Sequence, residues 1–295
     1  MVITASLVNE LRGMTGAGMM DCKKALVEAD GNMDKAAEIL REKGIAKAAK
    51  KESRIAAEGA VGSYIEGNTG ALVEVNCESD FVSKGDKFRS IVANIAKVVV
   101  EQKPADLEAL NNCTIDGITV KEYITNETVV IGEKLSIRRF EIFTTTGKID
   151  SYIHMGGKVG VLVNAEPYND GAEELHDVAL QIAAAKPTYI NSSEVPAEVI
   201  EKEKEILLAQ MQNDEKNANK PKEILEKIVT GKIGKYYTEN CLMDQVFVKD
   251  DSKTIAKVIN GKFTVAKFIR WEMGEGLQKR SDDFAAEVAA QMGQN

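Results

Sequence analysis

Histidine is nearly missing from this chain: among 295 residues only His154 and His176 occur, far apart in sequence, which leaves little room for histidine-based metal or triad chemistry. Cysteine is almost as scarce. Cys22, Cys77, Cys113 and Cys241 show no close spacing, and the N-terminal MVITASLVNELRGM has no basic stretch followed by an apolar core. Reduced thiols in a cytoplasmic protein are therefore expected. No apolar run approaches the roughly 18 residues of a membrane span. The sequence holds no GxGxxG opening a helix, no Walker phosphate loop and no HExxH. Positive charge is in deficit too, with a formal net charge of −8. That charge opposes nucleic acid as the main partner, because backbone phosphates would repel the average surface. The short basic run at Lys47, Lys50 and Lys51 sits beside Glu52, and no aromatics interleave with basic residues.

What is present suits a soluble α+β chain of two or three modules, with 44% apolar residues and five prolines. The first fifty residues predict three short helices. Leu7, Leu11 and Met14 share one helical face, and Met19, Cys22, Ala25, Leu26 and Ala29 share a second. Met33, Ala36, Ala37 and Leu40 form a third that runs to Gly44. Residues 45–57, rich in Ala and Lys, read as a helical tether.

Beyond that point the sequence repeats itself. Ser63-Tyr64-Ile65 precedes Gly70-Ala71-Leu72-Val73-Glu74-Val75-Asn76 and a helical pattern from Phe88 to Val100. Ser151-Tyr152-Ile153 precedes Gly160-Val161-Leu162-Val163-Asn164-Ala165-Glu166 and a helix from Leu175 to Ala185. A third strand is predicted in each half, from the resemblance of Ile131–Phe140 to Ile259–Phe268. The expectation is a duplicated α/β core: two three-stranded antiparallel sheets, each with helices on one face. Leu72 with Glu74, and Ile137 with Arg139, break the alternation that a half-buried strand should show. An antiparallel helical hairpin is predicted from Pro196 to about Thr230. Its seam is Val199, Ile200, Ile206, Leu207, Met211, Ile224, Leu225, Ile228 and Val229. A final short helix begins at Ser281-Asp282-Asp283. The expected divisions are 1–52, 53–142, 143–275 with the hairpin at about 190–230, and 276–295.

Candidate chemistry is thin. Cys22 lies near a helix N-terminus but also on the apolar stripe, so small buried filler is favoured over a reactive thiol. Gly274-Glu275-Gly276 reads as a turn. The densest polar cluster is EVNCESDFV, residues 74–82. Glu74, Glu78 and Asp80 are a candidate hard-cation or acid–base set. The competing reading is an N-cap at Ser79 for the helix bearing Phe88, with Phe81 as a staple or core residue. Spacing favours the second.

Two long motifs go further. Leu11–Leu26 (LRGMTGAGMMDCKKAL) and EVNCESDFV resemble the two signatures of the elongation factor Ts family, at the expected separation. The resemblance spans essentially the whole chain. It implies a UBA-like three-helix N-terminal domain, a duplicated core, an inserted coiled-coil hairpin and a C-terminal helical module. It also implies guanine-nucleotide exchange on elongation factor Tu, without covalent chemistry and without a cofactor or metal of its own, since the partner carries GDP or GTP and Mg²⁺. Asp80 and Phe81 correspond to the exchange residues, with Ser79 as the supporting cap. Arg12, Met19, Met20, Asp21, Ile131, Gly132 and His154 correspond to partner-binding positions, and the hairpin is a candidate homodimer contact. The family usually has Gln-Thr-Asp-Phe where this chain has Glu78-Ser79-Asp80-Phe81. Serine keeps the hydroxyl, and Glu78 is expected to add a charge beside Asp80.

Overall fold

The structure, a computed structural model, describes residues 3–213 and 221–278. The predicted terminal helix and most of the predicted hairpin loop lie outside the described residues.

Three helices open the chain: α1 (Ala5–Thr15), α2 (Met19–Glu28) and α3 (Met33–Ala49). Thr4 and Asn32 cap α1 and α3, each accepting a backbone N–H three residues on. Gly16, at φ +67°, ends α1 in the left-handed region that its missing Cβ permits. Val8, Leu11, Cys22, Ala25, Leu26, Ala29 and Ala36 form their core. Two sequence expectations change here. Met14 and Met19, placed by spacing on apolar faces, are exposed. The third helix passes through Gly44 to Ala49, sustained by its Ala- and Lys-rich run. Gly44 is buried where α3 meets a later helix, and a Cβ there would lie 3.4 Å from Val129 Cγ2.

The first half of the remainder runs β1 (Glu58–Glu66), β2 (Thr69–Cys77), α4 (Asp80–Lys84), α5 (Asp86–Gln102) and α6 (Leu107–Asn112). It continues with β3 (Thr114–Ile115), β4 (Ile118–Thr119), α7 (Val120–Ile131) and β5 (Ser136–Thr144). The second half has β6 (Lys148–His154), β7 (Val159–Tyr168) and α8 (Ala172–Ala185). Then come α9 (Ala197–Gln212), α10 (Lys222–Asn240), β8 (Val246–Phe247), β9 (Asp250–Thr254), α11 (Ile255–Ile259) and β10 (Phe263–Glu272). The two larger sheets are β1-β2-β5 and β6-β7-β10, antiparallel throughout and equivalent in strand order, and β3-β4 and β8-β9 are two-stranded pairs.

Those sheets pack face to face, with helices outside. Ala71, Val73 and Val75 meet Phe88, Ile91 and Ile95 of α5 on one side of the first sheet. On the other side Val61 and Leu72 meet Ile149 and Leu162 of the second sheet. All nine positions of β2 are buried, which is why its sequence does not alternate. The contact repeats across a quasi-twofold relation. A Cβ on Gly70 would lie 2.8 Å from Ile149 and 3.3 Å from Leu162, and one on Gly160 would lie 2.3 Å from Val61 and 3.1 Å from Leu72. Ser63 Oγ donates to Ser151 Oγ at 3.0 Å between the same positions of the two halves. Helices α9 and α10 form the hairpin, which extends to Asn240, beyond the expected end. Ile200, Met211, Leu225, Val229 and Ile233 are buried along its seam. Ile206 and Ile224 are exposed instead, because each stands one residue off the stripe that Leu207 and Leu225 mark.

Candidate functional site: the corner after the second strand

The apolar strand β2 ends at Cys77, and after two intervening residues the five-residue helix α4 begins. Ser79 is its N-cap, accepting the Val82 N–H on Oγ at 3.3 Å. The cap belongs to this short helix and not, as spacing suggested, to the helix bearing Phe88, since Gly85 separates α4 from α5. Asp80 and Phe81 therefore occupy the first turn of a stub that projects from the end of a buried strand. Phe81 is 85% exposed, the most exposed large apolar side chain among the described residues, so it is neither staple nor core.

The three carboxylates of EVNCESDFV diverge. Glu74 is fully buried between Arg138 and Arg139. Glu78 turns back: its Oε1 accepts the Lys134 N–H at 2.6 Å and meets Arg54 Nη1 at 3.2 Å. Asp80 points outward to Lys84 Nζ at 2.6 Å. Among the described residues no group of three or more His, Cys, Asp or Glu is placed to hold a metal ion. The Lys84 hydrogen bond and charge hold the Asp80 carboxyl below the usual carboxylate range, and Lys158 adds to this. Asp80 is thus an anion at neutral pH. The Cys77 thiol is pushed up to about 12, first by burial and then by the nearby Glu133 charge, and is not a nucleophile.

Sequence reasoning missed what holds this corner. Glu133, just past the end of α7, accepts the N–H groups of Glu78 at 3.1 Å and Ser79 at 2.9 Å on Oε2. Its Oε1 accepts the Ser79 hydroxyl at 2.6 Å. Loops 78–79 and 132–134 thus clamp each other, carboxylate to backbone in both directions. Lys134 Nζ also donates to the carbonyls of Glu52 at 2.5 Å and Arg54 at 3.1 Å, and Lys51 Nζ donates to that of Gly132. No local pattern marks Glu133, because its partners lie over fifty residues away.

The remaining predicted positions fall into three groups. Arg12 is exposed at the end of α1. Met19 and Met20, 51% and 62% exposed, start α2, and Asp21 beside them pairs with Lys47 at 2.9 Å. Gly16, between them and Arg12, lies against Val130, since a Cβ there would be 3.2 Å from Val130 Cγ2. That joins this group to Ile131, half-buried on the first core, and Gly132, exposed at φ +85°. His154 is exposed at the end of β6, its Nδ1 3.1 Å from the Tyr152 hydroxyl. It opens the turn that returns through Lys158, one of the charges acting on Asp80. The structure thus links loop 131–134 directly to the exposed corner, with the helical module and the β6–β7 turn beside it.

Comparison with known proteins decides the family. A family model described as "Elongation factor TS" matches residues 78–275. The curated "Elongation factor Ts" of Syntrophotalea carbinolica is 49% identical to this chain over 98% of its length and 99% of the relative's. Those of Nitratiruptor and Symbiobacterium thermophilum are 46% and 47% identical, each over 99% of this chain and 98% or more of their own. The chain belongs to the elongation factor Ts family. It is by that membership a translation elongation factor. Within this family member the two halves are unequal at the site. Carrying the Gly70–Asn76 and Gly160–Glu166 match forward sets Asp80-Phe81 against Asp170-Gly171, so the second half has no aromatic at the position that matches Phe81. Among the described residues no helix is long and apolar enough to cross a membrane.

Proposed function

We propose that this chain is a guanine-nucleotide exchange factor for elongation factor Tu, acting by differential binding and not by covalent chemistry. The observation that carries the reading is Phe81, 85% exposed on a helix stub whose base is clamped, beside a carboxylate held in its ionised form. A large apolar side chain kept out of its own core by a rigid cap is suited to burial in another protein. A nucleotide on a P-loop GTPase is held by backbone amides, a lysine and Mg²⁺. A wedge that fits only the open pocket favours nucleotide loss, and reciprocity makes nucleotide binding expel the wedge. Fully burying a phenylalanine contributes about 1.5–3 kcal/mol. Spent on the open state alone, that is roughly ten- to hundredfold in the release equilibrium. Asp80 supplies negative charge where the partner's magnesium is coordinated, and the metal stays with the partner. The helical module and loop 131–132 supply affinity, with Met19 and Met20 as adaptable apolar contacts.

Stopped-flow release of a fluorescent GDP analogue from elongation factor Tu tests this. The wild-type chain at substoichiometric concentration accelerates release. The double variant Asp80→Ala, Phe81→Ala keeps the fold and much of the binding but loses most of the acceleration. Full activity in that variant refutes the wedge, and an inactive wild-type chain refutes exchange in favour of passive docking.

A further inference from the structure

Helix α4 cannot orient its own cargo. Five residues are too few for a self-supporting helix, and Gly85 disconnects it from α5. The direction in which Asp80 and Phe81 leave the protein is set at Ser79, where the group in control comes from another loop. Glu133 Oε2 accepts both amides that precede α4, those of Glu78 and Ser79. Its Oε1, by accepting the Ser79 hydroxyl proton at 2.6 Å, selects the rotamer in which Oγ can accept the Val82 N–H. Glu133 is itself fixed from two sides. Gly132 turns the chain at φ +85°, and the Lys134 N–H returns to Glu78 at 2.6 Å.

We propose that Glu133 is a positioning residue for exchange: it touches neither nucleotide nor metal, and it aims Phe81 and Asp80 by holding the cap that starts α4. The proposal rests on the exchange reading. It accounts for a two-armed polar side chain of this length at this place, since three donors of the corner converge on its two oxygens. It also gives Glu78 a purpose in this chain. Where the usual glutamine is neutral with a single acceptor oxygen, Glu78 is charged: its Oε1 accepts the Lys134 N–H, and both its oxygens face Arg54 Nη1, at 3.2 and 3.3 Å. The extra charge stiffens the clamp from the opposite side and does not crowd Asp80.

The test compares Glu133→Ala with Glu133→Gln in the full chain, reading the maximal rate of GDP-analogue release, the half-saturating concentration, and amide hydrogen exchange at Glu78, Ser79 and Val82. A misaimed reacting group costs far more in the productive step than in binding, so Glu133→Ala lowers the maximal rate about tenfold or more while half-saturation moves less than about threefold. The three amides exchange faster. Glu133→Gln keeps an oxygen for both amides, and its Nε2 can donate to Ser79 Oγ, whose other lone pair still accepts the Val82 N–H, so it restores the maximal rate to within about threefold of wild type. A wild-type maximal rate in Glu133→Ala overturns the proposal, as does a loss confined to half-saturation or a failure of Gln to rescue. Should Glu133→Ala not fold, Glu133→Asp takes its place: shorter by one methylene, it cannot span all three donors and shows the same lowered maximum, or the proposal falls. Absence of acceleration by the wild-type chain overturns the exchange reading instead, and unchanged amide exchange in the variant overturns the clamp by itself.

Discussion

Glu74 offers the most demanding test of how the core is held. Its carboxylate is fully buried, yet it accepts from Arg138 Nη1 at 2.9 Å, Arg139 Nε at 2.6 Å and the Gly274 N–H at 2.8 Å. It thereby ties the first sheet to the turn that follows the last strand of the second. In Glu74→Ala, Gly274 is left with a buried unpaired N–H, Arg138 loses its counter-charge, and Arg139 keeps only its longer pair with the exposed Glu275 at 3.7 Å. Breaking a buried pair from one side costs about 3–5 kcal/mol. The lower end applies here, because Arg138 and Arg139 retain 24% and 29% side-chain exposure and can rehydrate. With a urea slope of about 3 kcal/mol per molar, that moves the unfolding midpoint down by about 1 M. Glu74→Gln keeps one oxygen for Arg138 and Gly274 and should lose about 1–2 kcal/mol. The assay is built in. Trp271 is the only tryptophan in the chain, and Arg139 stacks 4.5 Å from its ring, so its emission follows the same network. A Glu74→Ala midpoint within about 0.2 M of wild type would refute the reasoning. The pH dependence has a definite sign. Burial pushes the Glu74 carboxyl up, but the Gly274, Arg138 and Arg139 hydrogen bonds outweigh it and leave it below the ordinary glutamate value. Its contribution is complete above the unfolded-state value of about 4.3 and is lost as the pH falls through the lower folded value. Glu74→Gln should therefore flatten the acid limb of stability below about pH 4.3.

Gly160→Ala places a methyl 2.3 Å from Val61 Cγ1 between the two sheets. It should cost about 1–3 kcal/mol in urea unfolding without changing the far-ultraviolet spectrum. Cys77 is fully buried with its thiol pushed up to about 12. It should resist alkylation at neutral pH until the protein is unfolded, and Cys113, half-buried, should react first. The Asp80→Ala, Phe81→Ala variant should unfold at nearly the wild-type midpoint, because Phe81 is 85% exposed and contributes little to the folded state. A large loss of stability would mean that the corner serves the fold.

Local signals in the sequence determined a good deal. Ser79 as a cap residue, though not the helix it caps, the stripe of Cys22, Ala25 and Leu26, and the order of the main strands and helices each follow from residues a few positions apart. Two signature motifs carried the family. Facing and exposure were a different matter. Whether Met14, Met19, Ile206 and Phe81 lie inside or outside depends on what packs against them, and short-range spacing does not carry that information. The broken alternation of β2 became intelligible only when a second sheet covered its far face, giving Leu72 and Glu74 interior partners. The site divides in the same way. Asp80 and Phe81 are legible in a contiguous motif. Glu133, which holds them, stands fifty-four residues from Ser79 and is joined to it by three hydrogen bonds that form only after the two loops meet. The sequence by itself determined the elements and the groups they carry. Tertiary structure decided which carboxylate is buried, which is clamped and which is offered to a partner, because burial and long-range pairing are properties of the assembled core.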